Sequence, residues 1–274
     1  MVLAHVGPST AQALADSELH ARKALSLDRS LASAHAALAH SYWQQWRWSE
    51  ADDEFRQAIS GTGNTAIAHQ LYGLYLASLG RDDEAVQHAR FAVELQPVSG
   101  LANFSLAQVY LQAGDFAAAV AQSKKTLLID RNFPLALQSL IRAEIQLGRL
   151  EEAQRDLTEA IRSMPGTYPL EQWQSYLLAR SGRLRDAREV FQLEEKLGPN
   201  HPHPSLGGVA ALLAIGDRPA ALQALQASIA AHVPSMTWVW VIPELQVLRS
   251  DPQFITVASR VRQAPLNLRA SISQ

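Results

Sequence analysis

Glycine recurs in this chain at one fixed interval: Gly80, Gly114, Gly148, Gly182 and Gly216 stand 34 residues apart. An alanine keeps the same step through six copies, at Ala51, Ala85, Ala119, Ala153, Ala187 and Ala221. A period of this length is that of a helix–turn–helix unit, which cannot bury its apolar face alone and must stack on its neighbours. The spacing therefore predicts an all-α stack of helical hairpins, a design that holds other molecules more often than it transforms them.

The two residue types do different work. Each glycine follows the last apolar residue of a helical stretch, as in Leu79-Gly80-Arg81, Ala113-Gly114-Asp115 and Leu147-Gly148-Arg149. There it can adopt the left-handed conformation that ends a helix without a Cβ clash. Five residues later the alanine marks the closest approach of two helices, where only a methyl group fits. Seven residues further on comes a looser small position: Ala58, Ala92, Thr126, Ala160, Glu194 and Ser228. Glu194 breaks that pattern, making its repeat the least regular.

Other positions fall into register around these anchors. His69, Tyr72, Gly73, Leu76, Ala85, Ala89 and Pro97 occupy the slots of the tetratricopeptide pattern W-x2-L-G-x2-Y…A-x3-F…P. His35, Leu38, Ala39, Tyr42, Ala51 and Phe55 do the same one repeat earlier, and Asn103, Leu106, Ala107, Tyr110 and Ala119 one repeat later. The chain is similar to tetratricopeptide (TPR) proteins, which implies a right-handed α-solenoid of antiparallel helix pairs. Apolar spacing puts the pairs at 32–45 with 49–60, 66–79 with 83–95, 100–113 with 117–129 and 134–147 with 151–163. Two more fall at 170–181 with 185–197 and 204–215 with 219–231. Six repeats of 34 residues then fill 32–235.

Stepping back from Ala51 by one period lands in 10–27, which reads as a lone second helix. Residues 1–31 thus look like the latter half of a repeat whose first helix lies upstream of Met1 or was removed. Residues 1–8 have neither the basic region nor the apolar run of a signal peptide, and no stretch reaches the ~18 apolar residues of a membrane span. Beyond about Ser235 the period fails. Residues 236–274 are expected to cap the last repeat: an apolar stretch with Trp238 and Trp240 comes first, then a helix opened by Ser250-Asp251-Pro252 and running to about Gln263, then a polar tail.

The bulk numbers exclude several classes. Hydrophobic residues make up 47% of the 274 and charged ones 18%, enough apolar surface for a folded core. A net charge of −2 gives no footprint for nucleic acid. Zero cysteines remove disulfides and thiolate metal sites, and with no targeting signal a cytoplasmic location is expected.

Some longer phrases point to a subgroup. The run from Ala68 to Arg81 (AHQLYGLYLASLGR), with Leu95–Ser99 (LQPVS) and Leu248–Phe254 (LRSDPQF), resembles the C-terminal TPR region of bacterial multidomain signalling proteins. In that group such a region follows a winged-helix transcriptional regulator, a protein kinase or a nucleotide cyclase. The resemblance spans roughly 12–263 and implies a regulatory role, but no effector domain is present to receive the group's enzymatic or DNA-binding residues.

Apparent catalytic motifs lack their context. Gly61-Thr62-Gly63-Asn64-Thr65-Ala66 matches G-x-G-x-x-A but follows a helix instead of a strand, so it reads as an inter-repeat turn. His201-Pro202-His203 has no third ligand nearby. His35 and His69 share one repeat position and read as packed interhelical contacts, and Asn103-Phe104-Ser105, though an N-x-S sequence, lies within a helix. No nucleophile elbow is present, and no cofactor or metal is expected.

In TPR proteins the concave wall is formed by the first helices of the pairs. The resemblance carries that wall onto Ala36, His40, Trp43, Gln44, Leu74, Ala77, Ser78, Leu111, Ile145, Leu206 and Ala210, and above all onto Gln70, Phe104, Gln108, Gln112, Gln138, Arg142, Gln146, Gln172, Tyr176 and Arg180. These ten are the candidate partner-binding residues. The wall is rich in glutamine, whose amide both donates and accepts, as a peptide backbone requires. Arg142 and Arg180 would select an acidic feature. Two functions stay open: a non-catalytic scaffold binding a protein, a peptide or another copy of itself, and a sensory module taking a small ligand in the groove. An enclosed, mostly apolar pocket would favour the second and an open channel the first.

Overall fold

The computed structural model describes residues 10–60, 65–164, 173–196 and 205–262. Among these there is no strand. Helix α1 (Thr10–Leu27) comes first, followed by antiparallel pairs: α2 (Ala32–Gln44) with α3 (Trp48–Ser60), α4 (Ala66–Ser78) with α5 (Asp82–Leu95), α6 (Gly100–Gln112) with α7 (Phe116–Ile129), and α8 (Pro134–Gln146) with α9 (Leu150–Ser163). Then come α10 (Gln174–Arg180) with α11 (Leu184–Lys196) and α12 (Leu206–Ile215) with α13 (Arg218–Ala230). Two 3-10 turns, Pro234–Trp238 and Pro243–Leu248, lead to a last short helix, α14 (Pro252–Ala258). The fold is the TPR α-solenoid. The segment G-T-G-N at 61–64, Pro165 to Gln172 and the His201-Pro202-His203 sequence lie outside the described residues.

The periodic residues explain the hairpins. All five repeat glycines have positive φ, from 72° at Gly80 to 93° at Gly216. At Gly148 the N–H bonds to the Ile145 carbonyl at 3.1 Å and the next residue, Arg149, donates to Glu144 at 2.9 Å, the paired closure of a Schellman motif. The six alanines five residues on are fully buried. How close the helices come is plain at Gly73, where an added Cβ would lie 3.1 Å from the Ala85 carbonyl oxygen. Helix starts are fixed by side chains: Thr65, Ser99, Asp115, Ser205 and Asp217 each accept a hydrogen bond from the backbone N–H three residues on.

The same closure recurs twice without glycine. Trp46, one period before Gly80, has φ 62°, and His232, at the end of α13, has φ 51°. Trp46 donates its N–H to Trp43 and Arg47 to Tyr42; His232 donates to Ile229 and Val233 to Ser228. A bulky side chain in this conformation is strained. The two rings stack on each other, with centroids 4.3 Å apart and planes 25° apart.

That stack marks the main departure from an open superhelix. The segment after α13 turns back across the concave side to the first hairpin. Trp238 packs edge-to-face on Trp43 at 5.4 Å. The Trp48 indole N–H bonds to the Val261 carbonyl at 2.8 Å, and the Arg262 guanidinium lies over the Trp48 ring and donates to the Ser78 carbonyl. Trp240 is buried in one cluster with Leu225 and Ile229 and meets Phe254 edge-on at 5.3 Å. Asp251 caps α14 as read from the sequence, but the helix stops at Ala258, short of 263, and turns through Val261.

Candidate functional site

The returning segment reshapes the concave wall. Arg142 on α8, buried, forms two hydrogen bonds of 2.9 Å to the carboxylate of Glu244 in the second 3-10 turn. Its guanidinium also lies over the Trp173 ring, 4.6 Å from the centroid. The carboxylate expected from a partner is thus supplied by the chain itself. Arg180 stays exposed at the end of α10 and donates to the Tyr176 hydroxyl at 2.7 Å, which Gln146 also reaches at 3.3 Å. Burial first, and then the Glu244 charge, hold the Tyr176 phenol above its ordinary pKa.

Between the first helices and the returning segment remains a cavity of about 400 Å³. Five of the ten candidates line it: Phe104, Gln108, Gln112, Gln138 and Arg142. His40, Trp43, Gln44, Leu74 and Leu206, also read as groove positions, join them. Gln70 does not line it; Gln146, Tyr176 and Arg180 form the separate cluster just described, and Gln172 lies outside the described residues. Ala36, Ala77, Ser78, Leu111, Ile145 and Ala210 are fully buried and do not line the cavity.

The far wall includes the segment that follows α13. Val233, Ser235, Trp238 and Ile242 come from that segment, and Leu135, Trp173 and Ser205 complete the cavity. Gln108 accepts a hydrogen bond from Ser139 at 3.2 Å, which fixes its amide, while the indole N–H groups of Trp43 and Trp173 and the Gln112 Oε1, on three lining residues, have no hydrogen-bond partner. Burial holds the His40 imidazole below the usual histidine range, so it stays neutral. With Arg142 paired, the cavity presents rings and amides and no uncompensated charge. A larger cleft, about 570 Å³, lies between α11 and α12–α13, lined by Arg188, Phe191 and Gln223 among others, but has no comparable convergence of rings and amides.

The sequence histidines have structural partners. His35 Nδ1 meets Glu54 at 2.6 Å and His69 Nδ1 meets His88 Nδ1 at 2.6 Å, each tying the two helices of its own hairpin. Asn103 is fully buried, donates to the Pro97 and Ser99 carbonyls and accepts from Gln122, which leaves it no role as a glycan acceptor in this fold. No group of three or more His, Cys, Asp or Glu among the described residues could hold a metal ion, and no described helix is long and apolar enough to cross a membrane.

Comparison with known proteins agrees with the fold and narrows the company. A stretch of 115 residues is 35% identical to the type IV pilus assembly protein PilF of Pseudomonas aeruginosa, covering 41% of this chain and 46% of that protein, so the match spans about half the length of this curated relative. Among solved structures, a tetratricopeptide repeat protein from Parabacteroides merdae aligns with TM-score 0.61 at 16% identity over 82% of this chain and 91% of its own. PilW, described as a widely conserved type IV pilus biogenesis factor, aligns with TM-score 0.58 at 21% identity over 75% and 100%. These relatives are not the multidomain signalling proteins that the phrases at 68–81, 95–99 and 248–254 resemble. The tetratricopeptide repeat model matches residues 36–97, 83–134 and 139–202, more than half of the chain, and the protein belongs to the tetratricopeptide repeat family.

Proposed function

We propose that this chain is a non-catalytic protein-interaction scaffold that receives a segment of a partner protein at the mouth of the central cavity. The observation that carries it is the convergence of Trp43, Phe104 and Trp238 with the amides of Gln108, Gln112 and Gln138 around one opening. Apolar rings supply contact area, and glutamines supply the donors and acceptors that a bound backbone needs. Closure by the chain's own segment leaves this cavity, and not the whole groove, as the receptor. Of the ten candidate residues, the five that line it are the ones proposed to touch the partner.

Similarity to a pilus assembly protein favours work in building a multi-protein assembly over the regulatory part of a signalling or transcription-control protein. The specific observation favouring the second reading, a sensory module for a small ligand, is that the cavity is walled on both sides by this chain.

In-cell cross-linking followed by affinity capture, with wild type and Gln138→Arg, tests the scaffold reading. A discrete partner recovered by wild type and lost from the variant is the expected result. Equal recovery by both places the binding surface away from the cavity. Recovery of no partner by either removes the scaffold reading.

A further inference from the structure

The groove already shows what kind of group it accepts. Trp238, carried on a 3-10 turn, is itself a segment side chain laid on the concave wall, edge-to-face against Trp43. Beside this pair the cavity continues past Phe104 to the glutamine amides, large enough at about 400 Å³ for one more bulky side chain. Its electrostatics narrow the choice. Arg142 is spent on Glu244, both side chains being almost wholly buried, so neither an anion nor a cation finds an uncompensated partner there. A charged group would lose its hydration with nothing in return. A purely aliphatic group would leave the Gln112 carbonyl oxygen, unpartnered and on a residue more than nine-tenths buried, without a donor, whereas an indole N–H or a phenol O–H can donate to it.

We infer that the cavity is an anchor pocket for an uncharged aromatic side chain with a polar edge, an indole or a phenol, presented by the partner segment. This rests on the scaffold reading and adds the chemistry of what is recognised. The ring would pack among Trp43, Phe104 and Trp238 in the offset or edge-on arrangements that aromatic pairs favour, and its N–H or O–H would meet a glutamine amide.

The test is a titration of the full chain with N-acetyl-L-tryptophanamide and N-acetyl-L-tyrosinamide, read by nuclear magnetic resonance at the six tryptophan indole N–H signals. N-acetyl-L-leucinamide, indole-3-acetate and methyl β-D-glucoside serve as aliphatic, anionic and carbohydrate comparisons. Saturable binding of the two aromatic amides is expected, with the shifts concentrated on Trp43 and Trp238. The three comparison compounds should bind at least tenfold more weakly. Gln138→Trp, which fills the cavity, and Phe104→Ala, which removes a wall, should each weaken binding of the aromatic amides tenfold or more while the melt confirms folding. Equal binding of the leucine compound, preference for the glucoside or the anion, or unchanged binding in both variants would overturn the anchor. If Gln138→Arg still abolishes partner capture while no aromatic amide binds, the scaffold stands and the anchor chemistry falls. Aromatic binding without any captured partner has the opposite meaning.

Discussion

Arg142 and Glu244 lie 102 residues apart in sequence and are joined by two hydrogen bonds of 2.9 Å, with side chains 5% and 0% exposed. Their pairing ties the fourth repeat to the segment that crosses the concave face. Two buried charges in such geometry are tolerated because each satisfies the other, so losing one leaves the other stranded.

Glu244→Ala should therefore cost about 3–5 kcal/mol in denaturant unfolding. Arg142→Met with Glu244→Leu should recover most of that loss, because apolar groups of similar volume need no partner. A double variant as unstable as the single one would show that the pair positions the segment rather than merely neutralising itself.

Gly148 tests the repeat turns. It has φ 73°, and a Cβ added there would meet nothing within 4 Å, so any penalty is one of backbone conformation alone. Gly148→Val should lower stability by about 1–2 kcal/mol, measured as a lower thermal midpoint. Ala153→Phe is expected to do more damage, about 1–3 kcal/mol or loss of soluble protein, since that alanine is fully buried between helices. An unchanged midpoint for the glycine variant would contradict the turn conformation.

The hairpins were legible in the sequence because their causes are local. Glycine after a helix, alanine at the crossing and threonine, serine or aspartate at the next start each act within a few residues, and the 34-residue period repeats them. Closure was not legible, because Trp48 reaches a carbonyl 213 residues away and no local rule reports such a contact. The repeat register does carry a trace of it. Trp46 stands where the later repeats have glycine, and Trp43, Trp46 and Trp48 crowd into the first hairpin while Trp238 and Trp240 stand in the aperiodic segment. The tryptophans of the first hairpin meet the returning segment, Trp43 at Trp238, Trp46 at His232 and Trp48 at Val261 and Arg262. The repeat pattern supplies residues such as Phe104, Gln108 and Gln138 to the cavity, while Trp238 and Ile242 come from the aperiodic segment that no local rule folds back onto them.

His69 and His88 make stability depend on pH. Burial first, and then the His88 charge, lower the His69 pKa to about 4, and burial lowers that of His88 as well. Both values lie below the unfolded histidine value near 6.5, so the unfolded chain binds more protons in between. Stability should be complete above about pH 7 and fall as pH drops toward 4, by an amount on the order of 1–3 kcal/mol. The next repeat offers a neutral replacement, the Asn103–Gln122 pair with its 2.7 Å hydrogen bond at the equivalent positions. His69→Asn with His88→Gln should flatten the profile over this window in urea unfolding at stepped pH. A slope equal to that of wild type would assign the acid sensitivity to other groups.

Trp238 bears on cooperativity. Its ring packs against both large core clusters, the one built around the first two hairpins and the one that runs from the fourth repeat to α14. In a linear array each repeat is stabilised only by its neighbours, so distant parts can unfold separately; a contact between the two ends couples them. Trp238→Ala should cost about 3–5 kcal/mol, as expected for a large aromatic removed from packed surroundings. It should also lower the denaturant slope, because the two clusters no longer unfold as one. Wild type is expected to show coincident transitions by circular dichroism and tryptophan fluorescence, and the variant separated ones. Truncation after Ser235 should go further, exposing Trp43 and the face of α13 together and leading to aggregation. A truncated chain that stays monomeric with an unchanged melt, or a Trp238→Ala variant with one coincident transition and a loss below about 1 kcal/mol, well short of that cost, would show that the ends of the solenoid meet without supporting each other.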